Sequence, residues 1–434
     1  MKGSELQARA LRGSLWTGAG YAGEQLLRLG GNLVVTRLLF PEAYGWMALV
    51  WALLMGLELV SEIGIRESIV QSERSHEPEF LDALWTLQVV RGALLWIAAC
   101  VLAAPVARFY DVPALAWLIP CTGLTLPLNG LGSTRLLAQG RELRLGRLSG
   151  LELGTQAVTV AVMIAWAWLH PTVWALAGAP VVGAAARLVA SHVLTGGFPQ
   201  RLRFSREIFA STFQIGRFIG LSTALGFLAS QSDRLILGRL IAPDLLGVYT
   251  VAFFLSEGAA QLGVRLSQRV LHPAFRKAAA AGLLAAAYRS ARRRLALLVL
   301  PVAGAALVRG SLLVGLLYDA RYEAAGWMLE LLSLRIATSA LLPPAAAALL
   351  ALGDARTEMR ASAARALWLL AALPLGFAWV GLTGAVAAVA VSDLVRLPVL
   401  WRGLARHGLL DPAAELADLL WLAAGAGLAW LVLS

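Results

Sequence analysis

Long apolar runs alternate with short polar connections along the whole chain. Each run is close to the roughly 20 residues that one helical crossing of a bilayer requires. We therefore predict twelve membrane-spanning helices, six in each half of the chain, and a thirteenth after them. They are expected at residues 14–38, 45–65, 81–104, 114–138, 150–169, 173–194, 208–229, 246–270, 295–317, 326–352, 363–380, 382–401 and 416–433.

The two halves of the chain repeat one another. Segment 37–45 returns in related form at 239–247, with an arginine, a proline and a glycine at matching positions, and shorter echoes keep the same order. Internal duplication of a helical membrane unit is typical of secondary transporters. We predict a six-helix lobe at 1–205, a second at 206–405 and an additional transmembrane helix at 406–434. An even number of helices makes the two lobes parallel, around a central cavity.

Composition agrees with an all-α polytopic membrane protein. Hydrophobic residues make up 59% of the chain and charged residues 15%, and the mean hydropathy is +0.71. A soluble domain of this composition would expose far too much apolar surface. Only Cys100 and Cys121 occur, both within predicted spans, and the five histidines are scattered. We expect no disulfide framework, no metal site, no cofactor and no enzymatic activity.

Basic residues cluster in alternate connections between the spans. Short loops rich in Lys and Arg mark the cytoplasmic side of a membrane protein. The amino terminus and the connections after even-numbered spans hold most of them, whereas the opposite connections hold only Arg37, Arg108, Arg239 and Arg321. The amino terminus is therefore predicted to be cytoplasmic. We interpret the run Arg292–Arg294 as an inner-leaflet anchor, and the net charge of +11 needs no nucleic acid to explain it.

Charged side chains inside the predicted spans are the candidate site residues, because the bilayer makes them costly. Guanidinium groups bind phosphate oxygens as planar forks, which indicates an anionic cargo. Buried carboxylates can titrate near neutrality, so the acidic residues could instead couple transport to H⁺ or Na⁺. The candidate cations are Arg28, Arg91, Arg217, Arg265 and Arg187, and the candidate coupling residues are Glu24, Glu58 and Glu257.

A structural role is the open alternative for each of these charges. Glu24 and Arg28 are one helical turn apart, so they can pair with one another. Other charges could neutralise their neighbours between helices instead of meeting a substrate. The pairs expected on this alternative are Asp233 with Arg234, Glu330 with Arg335, and Asp393 with Arg396.

Four segments carry a resemblance to a known family, namely 36–45, 62–65, 232–249 and 351–356. Segment 36–45, followed by 62–65, is similar to the amino-terminal signature of the polysaccharide-transporter (Wzx-like) family of oligosaccharide flippases. Segments 232–249 and 351–356 are similar to its later parts, so the resemblance covers nearly all of the chain. It implies the inverted-V fold of the multidrug, oligosaccharidyl-lipid and polysaccharide exporter superfamily, with two six-helix lobes around a cationic cavity.

The resemblance also implies a function. The cargo would be an undecaprenyl-pyrophosphate-linked oligosaccharide, an O-antigen or exopolysaccharide repeat unit, flipped across the bacterial cytoplasmic membrane by alternating access with ion coupling. The expected partners are this lipid-linked oligosaccharide, membrane lipids, an H⁺ or Na⁺ coupling ion and other polysaccharide assembly proteins. A multidrug or cation antiporter of the same superfamily is the alternative, although buried arginines would repel cationic drugs. A membrane polysaccharide polymerase fits less well, because the external connections are short.

Overall fold

The structure is a computed structural model that describes residues 3–61, 64, 65, 68, 69, 72, 77–136, 145–196, 200–411, 418, 420–426 and 430. This part of the chain is helical and contains no strand, as expected of an all-α protein. It divides into two compact units, residues 1–224 and 225–434. The division falls within a helix that begins at Arg206, and the lobe boundaries at 205 and 405 stay a prediction.

Seven helices of the described residues, and the first half of an eighth, lie in the first unit. The helix α1 packs along α6, α6 packs on α7, and α3 packs on α4 and α5. Their bounds are α1 (Gly3–Leu38), α2 (Pro41–Val60), α3 (Pro78–Phe109), α4 (Leu115–Gly123), α5 (Thr125–Gly130), α6 (Leu145–Leu169), α7 (Trp174–Leu194) and α8 (Arg206–Leu240).

The second unit continues with α8 and is built around one central helix. The helix α12 packs against α9, α11 and α14, and most of its side chains are buried. A π-helical turn, Ser267–Leu271, follows α9, and a 3₁₀ turn, Ala320–Tyr322, precedes α12. The helices are α9 (Pro243–Leu266), α10 (His272–Ala280), α11 (Leu284–Leu317), α12 (Ala325–Ala351), α13 (Ala355–Val380), α14 (Leu382–Val391) and α15 (Arg396–Arg406).

Eight helices of the described residues are long and apolar enough to cross a membrane, so the chain is a multi-pass membrane protein. Among its long helices, α1 and α8 are the least apolar. They are the first helices of the two predicted lobes, and both carry charged residues within their length. A membrane helix of this kind has to turn its charged side towards protein or water.

The repeated phrase forms the same tight connection in both units. It joins α1 to α2 and α8 to α9, with Pro41 and Pro243 at the start of the second helix. Proline suits this position because the first helical N–H groups lack partners anyway. The preceding residues, Phe40 and Ala242, are extended, as residues before proline prefer. The repeated phrase therefore sets the same helix ends in both units.

The fourth predicted span is broken, contrary to the expectation of a kinked but continuous helix over 114–138. The chain turns at Leu124 between α4 and α5, and α5 ends at Gly130. Gln88 Nε2 donates to the carbonyls of residues 129, 130 and 132 at 3.0–3.3 Å. Leu131 O accepts from Trp85 Nε1 at 3.1 Å and lies 2.9 Å from His192 Nε2. Side chains from α3 and α7 thus satisfy the carbonyls that the break frees.

A helical segment near the carboxyl end packs on α11. Residues 420–426 are helical, and the carboxylate of Asp418 forms an ion pair with Arg292, whose side chain is 4% exposed. At Gly304 the backbone of Leu422 comes so close that a Cβ atom would clash with it. Within the second unit, this segment is therefore fixed by one buried charge pair and by close backbone contacts at Gly304 and Gly425.

The segment 351–356 forms a helix end followed at once by a helix start. Gly353 has a φ of +82°, which favours glycine, and terminates α12. Asp354 then caps α13 by accepting from the Thr357 N–H at 3.1 Å and from its hydroxyl at 2.7 Å. The hydrogen bond from the Thr357 side chain holds the pKa of Asp354 below its ordinary value.

The pairing of Arg292 with Asp418 predicts a large loss of stability in Asp418→Ala. The buried guanidinium would lose its counter-charge, so we expect the free energy of unfolding to fall by about 3–5 kcal/mol. The control, Asp244→Ala, removes an exposed carboxylate from the first turn of α9 and should cost less than about 1 kcal/mol. Unfolding of the purified chain in detergent measures both, and equal small losses would contradict the structural role of this pair.

Candidate functional site

Arg91 is the candidate cation whose contacts in the first unit are best defined. It extends from α3 to the last turn of α2, where Nη2 donates to Glu58 O at 2.7 Å and Nε donates to Ser61 Oγ at 3.2 Å. Thr223 Oγ1 donates to the next carbonyl, Leu59 O, at 2.9 Å. The carboxyl end of a helix carries partial negative charge, so Arg91 stabilises the end of α2. Arg91 therefore has a structural role, whatever else it binds.

Most of the other described candidates of the first unit are exposed. On α1, Glu24 is half-buried and Arg28 is exposed, and on α7 Arg187 is exposed. The expected pair does not form, because these three described side chains make no ion pair or hydrogen bond with one another. The side chain of Glu58 is exposed on α2. In α8 and α9, the side chains of Arg217 and Arg265 lie outside the described residues.

A connected set of charges lies in the second unit. Arg335 of α12 donates to Glu257 of α9 at 2.8 Å, and the other oxygen of that carboxylate accepts from Gln261 at 2.7 Å. Arg335 also lies 4.0 Å from Asp393, which precedes α15. The Arg335 side chain is only 4% exposed, and that of Glu257 is 29% exposed. Glu257 is thus the more accessible end of this set.

Two further guanidinium groups lie close to the carboxylate of Asp393. Arg365 of α13 lies 3.3 Å from its carboxylate, and Arg396 lies 3.8 Å from it. Arg396 also donates to Glu358 at 2.5 Å. The expected pair of Asp393 with Arg396 is therefore present, but it is one contact of a larger set that joins α9, α12, α13 and α15.

Segment 232–249, which resembles the known family, adds residues of α8 and α9 to the same set of charges. Tyr249 donates to the buried carboxylate of Asp233 at 2.5 Å. Arg234 donates to Gln231 at 2.6 Å, so the contact expected between Arg234 and Asp233 is replaced by two others. The guanidinium groups of Arg234 and Arg335 lie 4.5 and 4.3 Å from the ring centre of Phe253. We call the four arginines and four carboxylates the ion network: Arg234, Arg335, Arg365, Arg396, Asp233, Glu257, Glu358 and Asp393.

Equal numbers of opposite charges make the ion network formally neutral. Burying several charges is tolerated only when they compensate one another, so this balance explains their presence inside the unit. Glu330 was expected to pair with Arg335 but instead accepts from the Ser311 N–H at 3.0 Å. That N–H follows the non-helical residue Arg309 inside α11, so Glu330 caps the restart of a kinked helix.

Comparison with known proteins identifies the family. Residues 34–326, more than half of the chain, match the family described as polysaccharide biosynthesis protein. The chain belongs to this family. The resemblance drawn from the repeated phrases is thereby confirmed.

Two relatives of this family member are named for roles in polysaccharide biosynthesis. It is 22% identical over 277 residues to lipopolysaccharide biosynthesis protein WzxC of Escherichia coli (strain K12), covering 63% of this chain and 55% of that protein. It is 22% identical over 244 residues to succinoglycan biosynthesis transport protein ExoT of Rhizobium meliloti (strain 1021), covering 56% and 49%. The chain matches about half of the length of these relatives.

Solved structures show the fold of this family member. The lipid II flippase MurJ, in an inward closed conformation, matches with a TM-score of 0.77 over 96% of this chain and 92% of that chain, at 10% identity. An inward-facing MATE transporter of the MOP superfamily matches with a TM-score of 0.68 over 88% and 94%, at 13% identity. The expected all-α membrane fold is confirmed, whereas the count of twelve or thirteen spanning helices stays a prediction. These named proteins are transporters instead of enzymes.

Apart from the pair of Asp393 with Arg396, sequence reasoning missed the partners within the ion network. It found Glu257 as a charged residue within a span, but Arg335, 78 positions away, was assigned to the neighbouring Glu330. The one sequence signal for part of the ion network was the family resemblance of segments 232–234 and 247–249. In the structure these two segments contact one another through the hydrogen bond from Tyr249 to Asp233. Among the described residues, no group of three or more His, Cys, Asp or Glu is placed to hold a metal ion.

The ion network predicts that Arg335→Met is strongly destabilising. The change leaves Glu257 and Asp393 short of a counter-charge, and we expect the free energy of unfolding to fall by about 3–5 kcal/mol. Adding Glu257→Gln should recover part of that loss, because it removes one of the stranded charges. Arg187→Met, which removes an exposed arginine, should change stability by about 0.5 kcal/mol or less. Equal effects of Arg335→Met and Arg187→Met would show that the ion network carries little stability.

Proposed function

We propose that the chain is a flippase for undecaprenyl-pyrophosphate-linked oligosaccharide, an O-antigen or exopolysaccharide repeat unit, in the bacterial cytoplasmic membrane. The observation that carries the proposal is the combination of its family with its fold. The family is one of polysaccharide biosynthesis, and the fold matches a lipid II flippase over 96% of the chain. A saccharide attached to a lipid carrier is the cargo that suits both.

Charge supports an anionic cargo. A pyrophosphate that crosses a bilayer needs counter-charges along its path, because desolvating it alone would be prohibitive. Arg28 suits this role best among the candidates, since it is exposed on a helix that is poor in apolar residues. Arg91, Arg187, Arg217 and Arg265 are proposed as further cations of the path. The sugars would cross a wet cavity while the polyprenyl chain stays in lipid.

The proposed mechanism is alternating access of two parallel lobes, with the amino terminus in the cytoplasm. Coupling to H⁺ or Na⁺ would use a carboxylate that can change its charge without stranding a partner. Glu24 is the best candidate, because it is half-buried and forms no ion pair in the described part of the chain. Protonating Glu257 would instead leave Arg335 with only the more distant Asp393. Glu58 is the third candidate.

A multidrug or cation antiporter is the second candidate function. The observation that favours it is the TM-score of 0.68 with a MATE transporter of the same superfamily. Exposed arginines such as Arg28 and Arg187 count against it, because they repel cationic drugs.

Complementation of a bacterial strain that lacks its polysaccharide flippase tests the proposal. The wild-type chain should restore surface polymer, and Arg28→Ala, Arg91→Ala and Arg217→Ala should each lower it by about tenfold or more, as expected for the loss of a charge-assisted contact. Arg402→Ala, which removes an exposed arginine of α15, is the control at matched membrane expression.

Full activity of all three variants would contradict a path lined by these arginines. A wild-type chain that fails to restore polymer but confers drug resistance would support the antiporter. Because Arg91 also stabilises the end of α2, its result counts only when the variant is inserted at the wild-type level.

A further inference from the structure

One stretch of the second unit carries charge of a single sign. Between Glu257 and Asp319 the chain has nine basic residues and no acidic residue. The stretch includes α10 and α11, and its basic residues can be neutralised only by distant parts of the chain or by other molecules. Whether they need such a partner depends on which way each side chain points.

The buried side of α11 uses one of these cations internally. Tyr288, Arg292, Ala296 and Leu300 follow one another at intervals of four residues, and all four are buried. Residues at this spacing share one face of a helix. Arg292 pairs with Asp418 on that face. The inner-leaflet anchor expected at Arg292–Arg294 therefore has two available arginines instead of three.

Two neighbouring rows of α11 carry three further cations, with Arg289 and Arg293 in one row and Arg294 in the other. Arg289, Arg293 and Arg294 are exposed and form no ion pair in the part of the chain that the structure describes. One turn further along the helix, the apolar side chains of Leu297 and Leu298 are 37% and 70% exposed, and Val302 continues the strip at 59%. From Arg294 to Val302 the helix rises by about 12 Å.

We propose that this exposed surface of α11, formed by the two neighbouring rows, binds one anionic phospholipid. Its phosphate would contact the guanidinium groups of Arg289, Arg293 and Arg294, and an acyl chain would lie along Leu297, Leu298 and Val302. The planar guanidinium group of arginine matches the geometry of phosphate oxygens. The apolar strip begins within one helical turn of these arginines, just as the acyl chains of a phospholipid begin next to its headgroup. The site lies where the predicted ninth span, 295–317, meets the side of the basic connections.

The two exposed arginines of α15 lack the second half of this arrangement. Arg402 and Arg406 are exposed on α15, but none of the large hydrophobic side chains of that fully described helix is exposed. They offer charge without an adjoining apolar strip. The pair Arg402 and Arg406 is therefore a control that matches Arg293 and Arg294 in charge but not in surroundings.

Binding of dioleoyl phosphatidylglycerol to the purified full-length chain tests the proposal. Native mass spectrometry would count the lipids retained by the wild type, by Arg293→Gln/Arg294→Gln and by Arg402→Gln/Arg406→Gln. We expect the first variant to bind the tightest lipid about tenfold more weakly than the wild type, because each basic residue near a membrane surface contributes separately. The second variant should bind like the wild type.

Two further comparisons distinguish a specific lipid-binding site from general attraction of anionic lipids to positive charge. Arg293→Lys/Arg294→Lys keeps the charge and should retain part of the binding, whereas dihexanoyl phosphatidylglycerol, with its short chains, should bind less tightly than the dioleoyl lipid. Equal losses in the two glutamine variants, or no loss in Arg293→Gln/Arg294→Gln, would overturn the proposal. None of these measurements depends on transport, so they stand or fall independently of the proposed flippase function.

Discussion

The ion network in the second unit results from the requirement that charges placed among apolar helices compensate one another. Arg335 is nearly inaccessible to solvent, and its partners come from two other parts of the unit. A carboxylate or guanidinium left alone at such a depth would be costly, so each helix is held in the orientation that keeps its charge paired. Rotating α9, α12 or α13 about its axis would break these contacts and strand a buried charge.

The first unit treats its charges differently. Arg91 is held by the carbonyl end of α2, while Glu24, Arg28 and Arg187 remain half-buried or exposed. The second unit thus pairs its buried charges within its own helices, whereas several charged candidates of the first unit remain accessible. Arginines within spans are therefore poor evidence of a binding site until their partners are known.

Local patterns in the sequence predicted the helices well, because apolar runs and prolines act over a few residues. The connections at Pro41 and Pro243 and the helix end at Gly353 lie where the repeated and family-like phrases occur. The break in the fourth span was not predictable in this way, since Gln88 satisfies its carbonyls from more than 40 positions away. The pairing of Glu257 with Arg335 was not predictable for the same reason. Periodicity shows which residues share a face of one helix, but it does not show which face of another helix they contact.

The most direct test of the central claim is a flipping assay with the purified chain in proteoliposomes that contain an undecaprenyl-pyrophosphate-linked oligosaccharide. A membrane-impermeant lectin added outside would report how much of the sugar becomes accessible with time. A flippase predicts that the protected inner-leaflet pool becomes accessible in the presence of the chain and stays protected in protein-free vesicles. An inner pool that remains protected with correctly folded chain present would contradict the account.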